Sequence, residues 1–398
     1  MSLTDTPNAN RLHITLFGRR NSGKSSLINA LTGQDIALVS NTPGTTTDLV
    51  SKAMEIQGIG PCLFIDTPGF DDEGELGELR ISRTLKAIEK TDIALLLCED
   101  TTFFHEKEIL ALLKEKNIPV IPVLNKIDIR ENSDHLATYI EEQCKIHPLL
   151  ISAKEKIGIE LIRQAILEKL PSDFGQQSIT GELVTENDLV LLVMPQDIQA
   201  PKGRLILPQV QTIRELLDKK CLVVTCTTDK FSATLQALAR PPKLIITDSQ
   251  VFKAIYEQKP KESELTSFSV LFAGYKGDIH YYVESAAVIE RLTESSRVLI
   301  AEACTHAPLS EDIGRVKLPR LLRKRIGENL QIDMVAGTDF PQDLTPYSLV
   351  IHCGACMFNR KYVMYRIDRA KKQQVPVTNY GITIAHLTGI LDHVALPE

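Results

Sequence analysis

Gly18-Arg19-Arg20-Asn21-Ser22-Gly23-Lys24-Ser25 follows the apolar run His13-Ile14-Thr15-Leu16-Phe17 and opens a helix-like stretch, 25–31, that Gly33 stops. A glycine-bearing loop between a strand and a helix is a phosphate cradle. Its glycines let the backbone curl, and successive N–H groups with the helix amino terminus point at the anion. Lys24 adds a point charge and Ser25 offers a hydroxyl to Mg2+, so Gly18, Asn21, Ser22, Gly23, Lys24, Ser25 and Ser26 form the candidate phosphate site. A turn that binds nothing is the plain alternative. The same octet decides the fold class, because further apolar runs at 62–65, 93–97, 120–124 and 149–151 alternate with helical patterns. That alternation predicts an α/β fold with a doubly wound, mostly parallel sheet.

Three more segments follow in an order that narrows the ligand. Asp66-Thr67-Pro68-Gly69 closes an apolar run, where the carboxylate can hold Mg2+ through water and Gly69 can approach a terminal phosphate. Asn125-Lys126-Ile127-Asp128 follows Ile121-Pro122-Val123-Leu124, and a carboxylate at Asp128 accepts both N–H groups of guanine, a pattern adenine lacks. GTP and GDP are therefore the expected nucleotides. Ser152-Ala153-Lys154 follows another strand and would close over the base, with the Ala153 N–H reaching the guanine oxygen. The loop Pro43-Gly44-Thr45-Thr46-Thr47-Asp48 can offer a threonine to Mg2+ only when the terminal phosphate is present, a surface turn being the alternative.

Together these segments resemble the Era and MnmE-like GTPases over residues 1–172. The resemblance implies that Thr46 is the Mg2+-binding threonine and that Asn21 holds K+, with a capping or solvated Asn as the alternative. It also puts Glu78 at the offset of the catalytic glutamate, so Lys24, Thr46 and Glu78 are the candidate catalytic residues. Glu73 and Glu75 stand close by, and an exposed acidic loop is the competing reading of Glu78. Phe70 occupies the place where Ras-like proteins orient water with a Gln. Slow, potassium-activated hydrolysis is expected.

The 398 residues are too many for one ordinary core, and polar stretches at 171–180 and 258–263 suggest three domains, 1–172, 180–262 and 265–398. No apolar run is long enough to cross a bilayer, and the polar first ten residues do not resemble a secretion signal. A cytoplasmic protein with no membrane partner is expected. A net charge of -6 gives no global field for nucleic acid, so no nucleic-acid partner is expected either. Eight cysteines are too sparse for a disulfide scaffold.

Three of those cysteines cluster, in Cys304-Thr305-His306 and His352-Cys353-Gly354-Ala355-Cys356. Both motifs follow apolar, strand-like runs, and the carboxyl edge of a parallel sheet is where ligands gather. A helix starting near Cys356 would stabilise the thiolates. Thiolates suit an iron-sulfur cluster or zinc. Three leave one iron of a cubane to His306, to His352 or to an exchangeable ligand. Alternation along a strand slightly favours His306, which shares a face with Cys304. Reduced buried cysteines are the bland alternative, and Cys62, Cys98, Cys144, Cys221 and Cys226 read as packing residues.

The spacing of these motifs downstream of an Era-like GTPase resembles the HydF family of FeFe-hydrogenase maturation GTPases over essentially the whole chain. The resemblance implies a homodimer with a middle dimerisation domain and a 4Fe-4S cluster on Cys304, Cys353 and Cys356. It further implies a scaffold that receives a transient diiron precursor from radical-SAM maturation enzymes and delivers it to apo FeFe-hydrogenase. An Era-like RNA-associated GTPase with a structural zinc site is the alternative, without an evident basic face or RNA-binding module to support it.

Overall fold

The computed structural model describes residues 6–32, 50–56, 58–67, 83–171, 174–175, 177–195, 205–303 and 313–397. The chain divides into two compact units, Met1–Gln176 and Gln177–Glu398.

In the first unit, β1 (Leu12–Phe17), β2 (Val50–Ile56), β3 (Gly60–Asp66), β4 (Ile93–Cys98), β5 (Val120–Leu124) and β6 (Leu149–Leu150) form one sheet in the order β2-β3-β1-β4-β5-β6. Only the β2–β3 pair is antiparallel. Strands β1, β4 and β5 are buried along their whole length, as strands covered on both faces must be, which explains why β4 and β5 are unbroken apolar runs. Of the two polar residues in β1, Thr15 is satisfied internally: the Thr15 and Thr91 hydroxyls lie 2.7 Å apart, and Thr91 donates to the Ala87 carbonyl at 2.7 Å. From β1 the sheet grows to β3 on one side and β4 on the other. A crevice therefore opens at the carboxyl ends of β1 and β4, where the loop beginning at Gly18 emerges.

The second unit holds two parallel sheets. Strands β7 (Leu189–Val193), β8 (Leu222–Cys226), β9 (Leu244–Thr247) and β10 (Glu264–Ser267) lie in the order β10-β9-β7-β8. Strands β11 (Arg297–Glu302), β12 (Gln331–Ala336), β13 (Leu349–His352) and β14 (Val377–Asn379) lie in the order β12-β11-β13-β14. The α/β architecture expected from the alternating pattern is the one observed.

One apolar cluster runs through both sheets, joining Leu191, Ile245 and Phe252 to Leu299, Val350 and Ile382. The helices Phe268–Lys276 and Tyr380–Leu387 approach closely where Gly381 N–H donates to Ser269 Oγ at 3.1 Å, and a Cβ on Gly381 would stand 3.0 Å from that of Ser269. Near the carboxyl terminus, Ala395 N–H donates to the Leu265 carbonyl at 2.8 Å. Residues 265–267, expected in the third region, belong with Glu264 to the β7–β10 sheet. The polar run at 258–263 is only the αβ loop of a crossover, closed by Lys259 Nζ on the Ser263 carbonyl at 2.6 Å.

Among the described residues no helix is long and apolar enough to cross a membrane. Cys62, Cys98, Cys144 and Cys221 are buried and Cys226 is half-buried. Burial pushes the thiol of Cys62 up to about 12 and that of Cys144 up to about 11, and raises Cys98 as well. A shift from 9.0 to about 12 leaves about a thousandfold less thiolate on Cys62 below pH 9. Mass mapping after iodoacetamide treatment of the native protein at pH 8 is accordingly expected to find Cys62, Cys98 and Cys144 unlabelled, and all three labelled after denaturation in urea.

Candidate functional site

The loop between β1 and the helix Lys24–Thr32 is shaped by its backbone. Asn21 (φ 64°) and Gly23 (φ 89°) are left-handed, a conformation Asn tolerates and Gly favours. A Cβ on Gly23 would overlap the Asn125 carboxamide, and one on Gly18 would stand 2.7 Å from Ser22 Oγ and 3.0 Å from Leu97 Cβ. Lys24, buried, gives its ammonium to the carbonyls of Gly18 at 2.9 Å and Arg19 at 2.7 Å, tying the loop to itself. Ser26 is exposed on the first turn of the helix.

Ser25 Oγ donates to Asp66 Oδ2 at 2.6 Å, while Asp66 Oδ1 and Ser22 Oγ are buried and find no partner among the described residues. Burial raises the Asp66 pKa, against the Ser25 hydrogen bond and the Lys24 charge, which lower it. A hard cation such as Mg2+ takes oxygen ligands of this kind. The donor set fits: a hydroxyl and a carboxylate already in contact, with one carboxylate oxygen unsatisfied. Arg19 secures the loop from outside, with Nη1 on Asp100 at 3.0 Å and Nη2 on Glu106 at 3.0 Å; the Glu106 side chain is 1% exposed.

The base-recognition segments meet the loop through one carboxamide. Asn125 Nδ2 donates to the Ser22 carbonyl at 3.0 Å, while its Oδ1 accepts from Lys126 N at 2.8 Å and Ala153 N at 3.0 Å. Lys126 is left-handed (φ 66°) and pairs with Glu99 at 3.2 Å. Asp128 is exposed on the turn Ile127–Ile129, its carboxyl held below the usual range first by a hydrogen bond from Ser152 and also by Lys154. An ionised carboxylate open to solvent can accept a pair of N–H groups. The fold therefore gathers residues 18–26, Asp66, 125–128 and 152–154 at one edge of the sheet. Thr46, Gly69, Phe70 and Glu78 lie outside the described residues.

In the second unit, β11 and β13 are neighbours at the point where their sheet reverses its order of growth, the place where such sheets hold ligands. Cys353 follows β13 directly. Its Sγ accepts from Ala303 N at 3.0 Å and from Ala355 N at 3.4 Å, and Ala303 immediately precedes Cys304. Ala355 is held at φ 51°, which costs a non-glycine residue roughly 1 kcal/mol. Two N–H donors thus converge on one sulfur, the atom type that binds iron-sulfur clusters or zinc. The helix expected near Cys356 instead begins at Arg360, capped by Asn359 Oδ1 on Tyr362 N at 3.2 Å. Backbone amides rather than a helix terminus face the sulfur.

His352, 1% exposed, ends β13. Arg366 can only donate, so its Nη1 at 2.9 Å makes Nε2 the acceptor, and Nδ1 carries the proton that it gives to the Cys353 carbonyl at 2.9 Å. Burial first, then the Arg366 charge, pulls the His352 pKa down to about 3. Its ring is neutral, with both nitrogens engaged. Cys304 and His306 lie outside the described residues, and among the described ones no three potential ligands stand together.

The Arg19 clamp and Arg366 carry no motif, and a single basic residue among many in the helix Arg360–Lys372 does not announce itself in a sequence. The left-handed Ala355 is equally silent, since alanine is no marker of that conformation.

Residues 13–126 match a family model described as a 50S ribosome-binding GTPase, residues 179–277 the hydrogen maturase F dimerization domain, and residues 280–397 the hydrogen maturase F tetramerization domain. The tRNA modification GTPase MnmE of Dechloromonas aromatica is 40% identical over 159 residues, covering 39% of this chain and 34% of that protein. Its counterpart from Nitrosomonas europaea is 39% identical over 174 residues, covering 43% and 37%. The chain thus spans only about a third of the length of these curated relatives. Among solved structures, a probable GTP-binding protein engB shares 26% identity at a TM-score of 0.32, over 39% of this chain and 97% of that one. The G domain of the T. maritima FeoB iron transporter shares 25% at 0.33, over 40% and 98%.

Replacing Gly23 with alanine forces a left-handed alanine against Asn125 and breaks the link to Ser22. The expected cost is about 1–3 kcal/mol, read as an earlier urea transition of the amino-terminal unit. An unchanged transition would contradict the close approach described.

Proposed function

We propose, from the premise that this chain belongs to the hydrogen maturase F family, that it is a GTP-hydrolysing scaffold that carries a 4Fe-4S cluster and passes a diiron unit to apo FeFe-hydrogenase. The observation that carries the metal half is the pair of backbone N–H groups on Cys353 Sγ, one from the residue before Cys304. Cys304, Cys353 and Cys356 would hold the cluster, which would supply an iron with an exchangeable position. With both His352 nitrogens engaged, His306 or an exchangeable ligand would complete it.

In the GTPase half, Lys24 and the loop amides take the phosphates, and Ser25, Asp66 and Thr46 hold Mg2+. Asn125, Lys126 and Asp128, with Ser152, Ala153 and Lys154, select guanine. Asn21 holds K+, and Glu78 positions the attacking water in the absence of a glutamine at Phe70. GTP state alters contacts with partners rather than driving cluster synthesis. Those partners are radical-SAM maturation enzymes and the apo-hydrogenase, in the cytoplasm. The regions matching dimerization and tetramerization models support self-association, with the homodimer as the minimal unit.

Asp128→Asn is expected to move preference from GTP to XTP by more than about a hundredfold, because an amide presents a donor where guanine requires an acceptor. Retained GTP selectivity in competition assays would remove the base-recognition assignment. Anaerobic reconstitution followed by metal and sulfide analysis is expected to give about four irons and four sulfides per chain, lost in Cys353→Ser. Stoichiometric zinc without sulfide would sink the cluster assignment.

A further inference from the structure

Arg366 is 2% exposed, in the helix Arg360–Lys372. Its guanidinium sits 4.6 Å from the ring centre of Phe340 and 4.7 Å from those of Phe358 and Tyr362. Its N–H groups go to His352 Nε2 at 2.9 Å, the Gly337 carbonyl and the Tyr362 hydroxyl at 3.2 Å, while Nε finds no partner among the described residues. Every one of these acceptors is neutral. Among the described residues no carboxylate pairs with Arg366.

A guanidinium stays charged at any pH at which proteins remain folded. Ring faces and neutral acceptors recover only part of what its dehydration costs, so a buried cation of this kind calls for an anion. The hydrogen-bonded path leads towards one. Arg366 donates to His352, and His352 donates to the carbonyl of Cys353, whose sulfur already receives two N–H groups. A cubane held by thiolates is anionic, and more so when reduced.

We infer that Arg366, linked through His352 to the Cys353 turn, is the buried counter-charge of the metal site and raises the reduction potential of the cluster bound there. The inference rests on the cluster reading given above. A fixed positive charge favours the state with the additional electron, so neutralising it makes the cluster harder to reduce.

The test uses the full chain, reconstituted anaerobically and titrated with dithionite, one electron passing from the titrant to each cluster, with the reduced form read by electron paramagnetic resonance. At the solution potential where the unsubstituted protein is half reduced, Arg366→Gln is expected to lower the ratio of reduced to oxidised cluster about tenfold, equivalent to ~59 mV for a one-electron couple. Arg366→Lys, which keeps the charge, should stay within about threefold of the unsubstituted ratio. Tyr362→Glu, which leaves the arginine and sets a carboxylate beside it, should fall as Arg366→Gln does. Folded Arg366→Gln and Tyr362→Glu proteins that load little iron beside a fully loaded Arg366→Lys support the inference equally.

If the unsubstituted chain binds no iron and sulfide, the cluster reading fails and this inference with it. If it does, and both neutralised variants keep the original ratio, the inference alone is overturned. Loss of the cooperative melt of the apoprotein in both neutralised variants, with Arg366→Lys intact, assigns the arginine to the core and overturns it too.

Discussion

A parallel sheet sends every strand's carboxyl end to the same edge, and a sheet that grows first to one side of its founding strand and then to the other leaves a crevice at that edge. Among the described residues, the two sheets of the second unit and, apart from the antiparallel β2, the sheet of the first obey that constraint. In the amino-terminal unit the crevice lies between β1 and β4, and the phosphate-loop residues emerge there. In the last sheet it lies between β11 and β13, and Ala303 and Cys353 emerge there. The chemistry-bearing residues are separated by up to about 130 positions in the first case and about 50 in the second, and the strand order removes the separation.

Within that frame, single polar side chains do the fastening. Asn125 joins the phosphate loop, its own turn and the 152–154 segment with three hydrogen bonds from one carboxamide. Buried hydrogen bonds are worth about 1 kcal/mol each, but leaving one of these partners unmet costs more than the bond returns, so the three segments hold or loosen together. The loop also ties back on itself: Lys24 gives its ammonium to loop carbonyls. Anionic oxygens are stronger partners for an ammonium than neutral carbonyls are.

The readable part of this architecture is the part carried by local pattern. Runs such as Ile93–Cys98 and Val120–Leu124 are apolar because they are covered on both faces, and that condition is visible along a chain. The strand–loop–helix succession around residues 12–32 was equally legible, because strand, loop and helix follow one another within a few positions. Elsewhere local pattern misled. The polar run before Glu264 has the composition of a linker, yet it is one loop of a crossover whose strand completes the second sheet. The turn after Cys353 looked like a helix start, but Asn359 provides the cap several residues later.

By itself, then, the amino-acid sequence determined the α/β class, the guanine-nucleotide motifs and the cysteine pairing of residue types, since each depends on neighbours within a few positions. Only the tertiary structure decided that β10 joins the middle sheet, that two sheets share one core, and that backbone amides rather than a helix terminus meet the Cys353 sulfur. It alone also decided that Arg366 is buried against three rings and His352 rather than exposed on a basic helix face. The physical reason is that burial and charge compensation are properties of what surrounds a side chain in space, and those surroundings come from segments that strand order brings together across tens of intervening residues.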